Sequence, residues 1–196
     1  MIKAVILDLN GIFLQSPKLS ERVEKDFGVE GEIFKSKLRE AMHKMRQPDA
    51  GPAWRHLGPF LKDLKINFTE NDFWNYWFEG EEISERMFTY TAELRSRGIK
   101  VFILSNNFRE RIFHNNRYKL IEEAVDKVYY SWQTGFIKPD VRAWQHILKE
   151  HNLTPPECLY FDDQEKNAKA AESIGIKSFV FTNESELERI VNEALR

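Results

Sequence analysis

Val5-Ile6-Leu7-Asp8-Leu9-Asn10-Gly11-Ile12 is a short apolar run that stops at a carboxylate, passes a second polar side chain and reaches a glycine. An unbroken Val/Ile/Leu run of this length, without polar alternation, marks a strand covered on both faces, as in a parallel sheet. The run 3–7 is one of five; residues 100–104, 127–130, 158–161 and 177–181 are likewise rich in Val, Ile, Leu, Phe or Tyr. Helical periodicities separate the later ones. Val141, Trp144, Ile147 and Leu148 share one face, and Ala168, Ala171 and Ile174 share another, ahead of Gly175 as a C-terminal cap. Asn183, with Glu186 three residues on, is an N-cap heading the stripe Leu187, Ile190, Val191 and Leu195. Strands alternating with helices predict an α/β fold with a three-layer, doubly wound parallel sheet.

The stretch 17–86 interrupts this alternation. It has helical runs and no strand-like one, with punctuation at Gly28, Pro48, Gly51, Pro52, Gly58 and Pro59. It is read as a helical insertion, which divides the chain into a core of residues 1–16 and 87–196 and an inserted unit of residues 17–86. Trp54, Phe60, Phe68, Phe73, Trp74, Tyr76, Trp77 and Phe78 are read as the core of that unit; the alternative is a wall for an apolar portion of a substrate.

The 196 residues carry 29 Lys and Arg against 31 Asp and Glu, so no basic surplus draws the chain to nucleic-acid phosphates. No apolar run approaches the roughly 18 residues of a spanning helix, and no membrane partner is expected. A single cysteine, Cys158, excludes an internal disulfide and a multi-thiolate zinc site. With no signal peptide, the chain reads as cytoplasmic. Its oligomeric state is not legible in any of these features.

Ligands of open parallel sheets bind beyond the carboxyl ends of the strands. Asp8 follows the first strand, Ser105 and Asn106 the second, and Asp162 and Asp163 the fourth, while a loop after the third, residues 131–137, delivers Lys138 just before Pro139. If those strands are neighbours, carboxylates, a hydroxyl and an ammonium converge on one edge. Clustered carboxylates need a counter-charge, which a hard divalent cation with oxygen ligands, Mg²⁺, supplies. A metal, a lysine and a hydroxyl beside a carboxylate nucleophile suit phosphoryl transfer.

These residues, in this order, resemble the motifs of the haloacid dehalogenase-like (HAD) superfamily of hydrolases. The first is an apolar strand ending in a nucleophilic Asp, here Val5-Ile6-Leu7-Asp8 followed by Leu9-Asn10-Gly11. The second matches Val101-Phe102-Ile103-Leu104-Ser105-Asn106, the third Gly135-Phe136-Ile137-Lys138-Pro139-Asp140, and the fourth Leu159-Tyr160-Phe161-Asp162-Asp163, trailed by Asn167, Ala170, Ala171 and Gly175. The resemblance covers the chain outside the insertion, and implies a Rossmann-like core with a helical cap over the active site. It further implies that Asp8 attacks phosphorus to form an aspartyl-phosphate, that Ser105, Asn106 and Lys138 bind the phosphoryl group, and that Asp8, the Asn10 carbonyl, Asp162 and Asp163 hold Mg²⁺. The implied substrate is a small phosphorylated metabolite.

One position departs from the family's phosphatases, which place an acid–base Asp two residues after the nucleophile; here it is Asn10. An amide cannot exchange a proton at neutral pH, so roughly 10²- to 10⁴-fold of acid–base help is at stake. Two alternatives therefore accompany the phosphatase reading: a regulatory protein that keeps the metal and phosphate site without turnover, and a phosphonate or carbon–halogen hydrolase. The pair Asp162 and Asp163 argues against the latter, since the family's dehalogenases lack it.

His43, His56, His114, His146 and His151 show no metal-binding spacing and are read mostly as surface residues. Arg109 and Arg111, near the second motif, are read as a solvated helix face. Cys158, at the start of a strand, is read as a buried structural thiol.

Overall fold

The computed structural model describes residues 1–114 and 117–196. Its strands are β1 (Ala4–Leu7), β2 (Leu14–Gln15), β3 (Glu82–Ile83), β4 (Lys100–Ser105), β5 (Lys127–Tyr130), β6 (Cys158–Asp162) and β7 (Lys177–Val180). The helices are α1 (Leu19–Phe27), α2 (Gly31–Met45), α3 (Trp54–Asp63), α4 (Glu70–Phe78), α5 (Glu85–Ser96) and α6 (Arg109–His114). They continue with α7 (Arg117–Ala124), α8 (Ser131–Thr134), α9 (Arg142–Glu150), α10 (Glu165–Glu172) and α11 (Glu184–Ala194).

The five apolar runs become β1, β4, β5, β6 and β7, each within one residue of its predicted bounds. They form one sheet in the order β5-β4-β1-β6-β7, and every pairing is parallel. Successive side chains of a strand point to opposite faces, so each strand feeds two cores. Val5, Leu7, Val101, Ile103, Leu159 and Phe161 pack with buried residues of α5, α7 and α11. Ala4, Ile6, Phe102, Leu104, Cys158 and Tyr160 pack on the other face, with Ala143, Trp144, Ile147 and Leu148 of α9 and Ala171 of α10. Burial on both faces explains why these strands read as continuous apolar runs; each fully buried aliphatic or Phe side chain contributes about 1.5–3 kcal/mol. The Asn183 side chain caps α11 as predicted, accepting from the Glu186 N–H at 2.9 Å. Gly175 adopts φ +91°, the left-handed conformation its place just after α10 requires.

The chain leaves β1, adds β4 and β5 on one side, then crosses back to add β6 and β7 on the other. This reversal opens a crevice between β1 and β6 at their carboxyl ends.

Between the antiparallel partners β2 and β3 lies the helical stretch α1–α4, which carries a cluster of its own. The aromatic residues quoted above all belong to it: Phe60, Phe73, Trp74, Trp77 and Phe78 are buried, and Trp54, Phe68 and Tyr76 flank them. Phe108, which follows β4, enters this cluster at 5.5 Å from Trp77 and 5.7 Å from Trp74, centroid to centroid. Two features differ from the sequence reading. The two-residue strand β3 lies where no strand was expected, being too short to leave an apolar run. The helix α5, capped by Ser84, runs across the 86/87 division. Among the described residues no helix is long and apolar enough to cross a membrane.

Cys158 is fully buried between β1 and the α9 layer, and burial, with Glu157 adding to it, pushes its thiol up to about 12. The native protein is therefore expected to resist a thiol reagent at pH 8 and to react with one equivalent after unfolding in denaturant; rapid native-state labelling would contradict this packing.

Candidate functional site

The sheet register assembles the site. Leu7 lies beside Ile103 on one side and Phe161 on the other, and the Asp8 N–H donates to the Phe161 carbonyl at 2.9 Å. Asp8, Ser105 and Asp162 therefore end three adjacent strands at nearly one level. The chain then turns sharply: Gly11 adopts φ +85°, and a Cβ there would lie 3.2 Å from Asp163 Oδ2. Only glycine meets both the conformation and the close approach.

Lys138 arrives from the loop after β5. This segment is not wholly irregular, as read from sequence: it begins with the one-turn helix α8, ended by Gly135 at φ +76°. The Lys138 Nζ donates to Asp8 Oδ1 at 2.8 Å and to Asp162 Oδ2 at 2.7 Å. Asn106 fastens the same loop: its amide donates to the Lys138 carbonyl and accepts from the Lys138 N–H, both at 2.8 Å. Its side chain is thus engaged with backbone, where the sequence reading turned it toward substrate. Asp162 is saturated; Lys138 and the Tyr160 hydroxyl donate to Oδ2, while the Gln164 N–H and Asn167 amide donate to Oδ1 at 2.8 and 2.9 Å. Asp163, beside it, is exposed to the cavity. Ser105 is fully buried, and among the described residues its Oγ has no hydrogen-bond partner; neither has Asn10 Oδ1.

Burial pushes the Asp8 carboxyl up to about 6, with Lys138 opposing and Asp162 adding to the rise. Burial by itself favours neutral Lys138, but the Asp8 and Asp162 carboxylates outweigh it and raise its pKa. Asp162 stays below the usual carboxylate range: burial works against ionisation, and Lys138, with the hydrogen bonds from Tyr160 and Asn167, prevails. Partial desolvation and the Asp162 carboxylate move Asp163 upward. Asp8, Asp162 and Asp163 each offer an oxygen within 4.8 Å of the others, a set of hard donors able to hold a divalent cation.

A family model for haloacid dehalogenase-like hydrolases matches residues 2–175. The chain belongs to that family. Acyl-CoA dehydrogenase family member 10 of Mus musculus is 26% identical over 190 residues, 89% of this chain and 17% of that protein. The D-ribitol-5-phosphate phosphatase of Bacteroides thetaiotaomicron is 26% identical over 104 residues, 50% of each chain. The chain thus spans half or less of these relatives' length. A HAD family enzyme of Bacteroides thetaiotaomicron shares its fold with a TM-score of 0.80 at 18% identity, covering 97% of this chain and 98% of that one. The same enzyme has been solved with magnesium and inorganic phosphate, and that complex aligns at a TM-score of 0.75. An L-2-haloacid dehalogenase aligns at 0.72 with 16% identity, over 97% of this chain and 99% of that one. At such identities the likeness is one of fold, and the chemistry must be argued from side chains.

In this member of the family a cavity of about 770 Å³ opens at the strand ends. Asp8, Asn10, Asn106, Lys138 and Asp163 line it from the sheet side, and Arg39, His43, Arg46 and Gln47 from α2 and the turn after it. None of the eight aromatic residues of the insertion lines it, so the alternative of an aromatic substrate wall falls away. Arg109 is exposed as expected, but Arg111 is buried, lines the cavity and pairs with Glu81 and Ser16, which corrects its reading as a solvated residue. The α2 residues were missed. Their spacing of four and three, on one helix face, was visible, but nothing local says that this face turns to the sheet edge.

Replacing Lys138 by alanine leaves two buried carboxylates without their cation. This is expected to cost about 3–5 kcal/mol of stability, measured by urea unfolding at pH 7 in metal-free buffer. A loss below about 1 kcal/mol would mean that the ammonium does not hold this corner together.

Proposed function

We propose that the protein is a Mg²⁺-dependent hydrolase of small phosphate monoesters. The observation that carries this reading is the buried, unpartnered hydroxyl of Ser105, which ends the strand paired with the one leading to Asp8, whose carboxylate is already held by Lys138. A phosphoryl group between them would give the hydroxyl an oxygen to donate to and the ammonium a second anion to neutralise. Its relatives support the class, three of them being phosphatases by name.

The donors fit the metal. Three carboxylates face one ammonium, leaving an excess of two negative charges, and all are hard oxygen ligands. Asp8, Asp163 and the Asn10 carbonyl would hold Mg²⁺, with Asp162 behind them, since both its oxygens are already engaged. When bound, the cation offsets charge on the phosphoryl oxygens. An Asp8 oxygen forms a bond to phosphorus as the ester P–O bond breaks, and water then attacks phosphorus, releasing phosphate and restoring the carboxylate. Lys138 orients Asp8 throughout, Asn106 fixes the Lys138 backbone, and Ser105 donates to a phosphoryl oxygen. The helices α1–α4 act as a cap whose α2 face closes the cavity, and small molecules rather than folded proteins are the substrates.

Asn10 favours a second reading, a binding protein without turnover, because an amide cannot protonate the leaving oxygen. The two separate in a phosphate-release assay over phosphorylated metabolites with and without Mg²⁺. Turnover that requires the metal is expected, faster for aryl, acyl or glycosyl phosphates than for alkyl ones. Binding of Mg²⁺ and phosphate with no release from any ester would overturn the enzyme.

Asn10→Asp is nearly isosteric and supplies a proton carrier. It is expected to raise kcat on alkyl phosphates about 10- to 100-fold, roughly 1.4–2.8 kcal/mol of barrier. No gain on any alkyl phosphate, with metal binding intact, would show that the site does not lack an acid.

A further inference from the structure

Arg46 follows the last residue of α2 and lines the cavity that contains Asp8. Its Nε is sealed from solvent and has no acceptor, and among the described residues the guanidinium makes neither a hydrogen bond nor an ion pair. Burial pushes its pKa down to about 10, the nearby Arg111 pushes the same way, and Asp8 opposes both. Arg111, buried on the same wall, reaches Glu81 and Ser16 through one terminal nitrogen, while its Nε also lacks an acceptor. Two guanidinium groups thus line one cavity, close enough for Arg111 to act on Arg46 electrostatically, and only Arg111 has a carboxylate partner.

Two of the anions of that cavity have cations of their own: Asp8 holds Lys138, and Asp140 is gripped by Arg142 through both oxygens. Asp163, the third, makes no ion pair with Arg46. An Nε–H sealed from water without an acceptor is unfavourable, and the rest of this half-buried guanidinium faces the cavity, where an anionic ligand would give the planar fork its acceptors. Arg39 and His43 present further polar, basic side chains at the same wall.

We propose that Arg46, flanked by Arg111, receives a second anionic group of the substrate, a carboxylate or phosphate distinct from the phosphoryl group at Asp8. The substrate is then a small organic phosphate bearing two anions. This rests on the phosphatase reading for the identity of the first anion. The transferred phosphoryl has its cation in Lys138 on the sheet side, whereas Arg46 belongs to the opposite wall, so the two positive groups serve opposite ends of one molecule.

Binding tests this without turnover. In an Asp8→Asn background, titration calorimetry with Mg²⁺ compares matched pairs in which a carboxylate replaces a hydroxymethyl group: 2-phosphoglycolate with 2-hydroxyethyl phosphate, 3-phosphoglycerate with glycerol 3-phosphate, and 6-phosphogluconate with sorbitol 6-phosphate. The carboxylate member of at least one pair is expected to bind about tenfold tighter or more. Adding Arg46→Gln brings that ratio close to one, and Arg46→Lys retains part of it. Arg46→Gln removes a half-buried charge that has no ion-pair partner, so its Tm is expected to equal or exceed that of the parent. The proposal fails if no pair shows the preference, if the preference survives Arg46→Gln, or if Arg46→Gln weakens both members equally, which would place Arg46 on the transferred phosphoryl. If the preference holds while the wild type hydrolyses no ester, the anion receptor stands and the phosphatase reading falls.

Discussion

An ammonium with almost no access to water sits between the carboxylates of Asp8 and Asp162, and much of the core is arranged to keep it there. A buried ion triad contributes little net stability, because desolvation offsets most of the attraction. What it provides is a requirement: the ammonium favours the ionised form of both carboxylates, and the carboxylates hold the buried ammonium charged. The parallel register places Asp8 and Asp162 on adjacent strands, Asn106 ties the Lys138 backbone at both its donor and its acceptor, and four donors hold Asp162. Trp144, packed edge-on to Tyr160 at 5.2 Å, carries that requirement into the apolar core, since the Tyr160 hydroxyl is one of those donors.

The helical stretch contributes a wall of opposite sign. Its interior is aromatic and apolar, yet what it turns to the cavity is Arg39, His43, Arg46 and Gln47. The two parts are joined at polar points: Arg111 meets Ser16 and Glu81, where the chain enters and leaves the helices, and Glu110 accepts from the Ala53 N–H at 2.8 Å. Phe108 adds an apolar join among Trp74 and Trp77. The cavity therefore has an acidic floor built on the sheet and a basic wall built on α2, a polarity suited to a small anion that brings or meets a cation on one side.

Much of this was legible along the chain. Five apolar runs determined five strands, and the three central ones, β1, β4 and β6, are buried on both faces, which leaves no room for polar alternation; β7, at the sheet edge, has no buried residue, although its run was read as a buried strand. The residues at their ends determined which side chains crowd one edge, because an open parallel sheet brings strand ends together. Gly11 was legible only as a motif residue; its turn and its close approach to Asp163 were not.

Tertiary structure alone decided the rest. Whether the Asn106 amide meets a ligand or a backbone, whether Asp162 has an oxygen to spare, and whether Arg111 is solvated depend on partners 24 to 32 residues away in sequence. No local pattern encodes such distances. The same holds for α2, whose helical period determines that Arg39, His43 and Arg46 share a face. Only the packing of the helices on one another, and the ribbon of β2 and β3 that carries them, decides that this face looks onto Asp8.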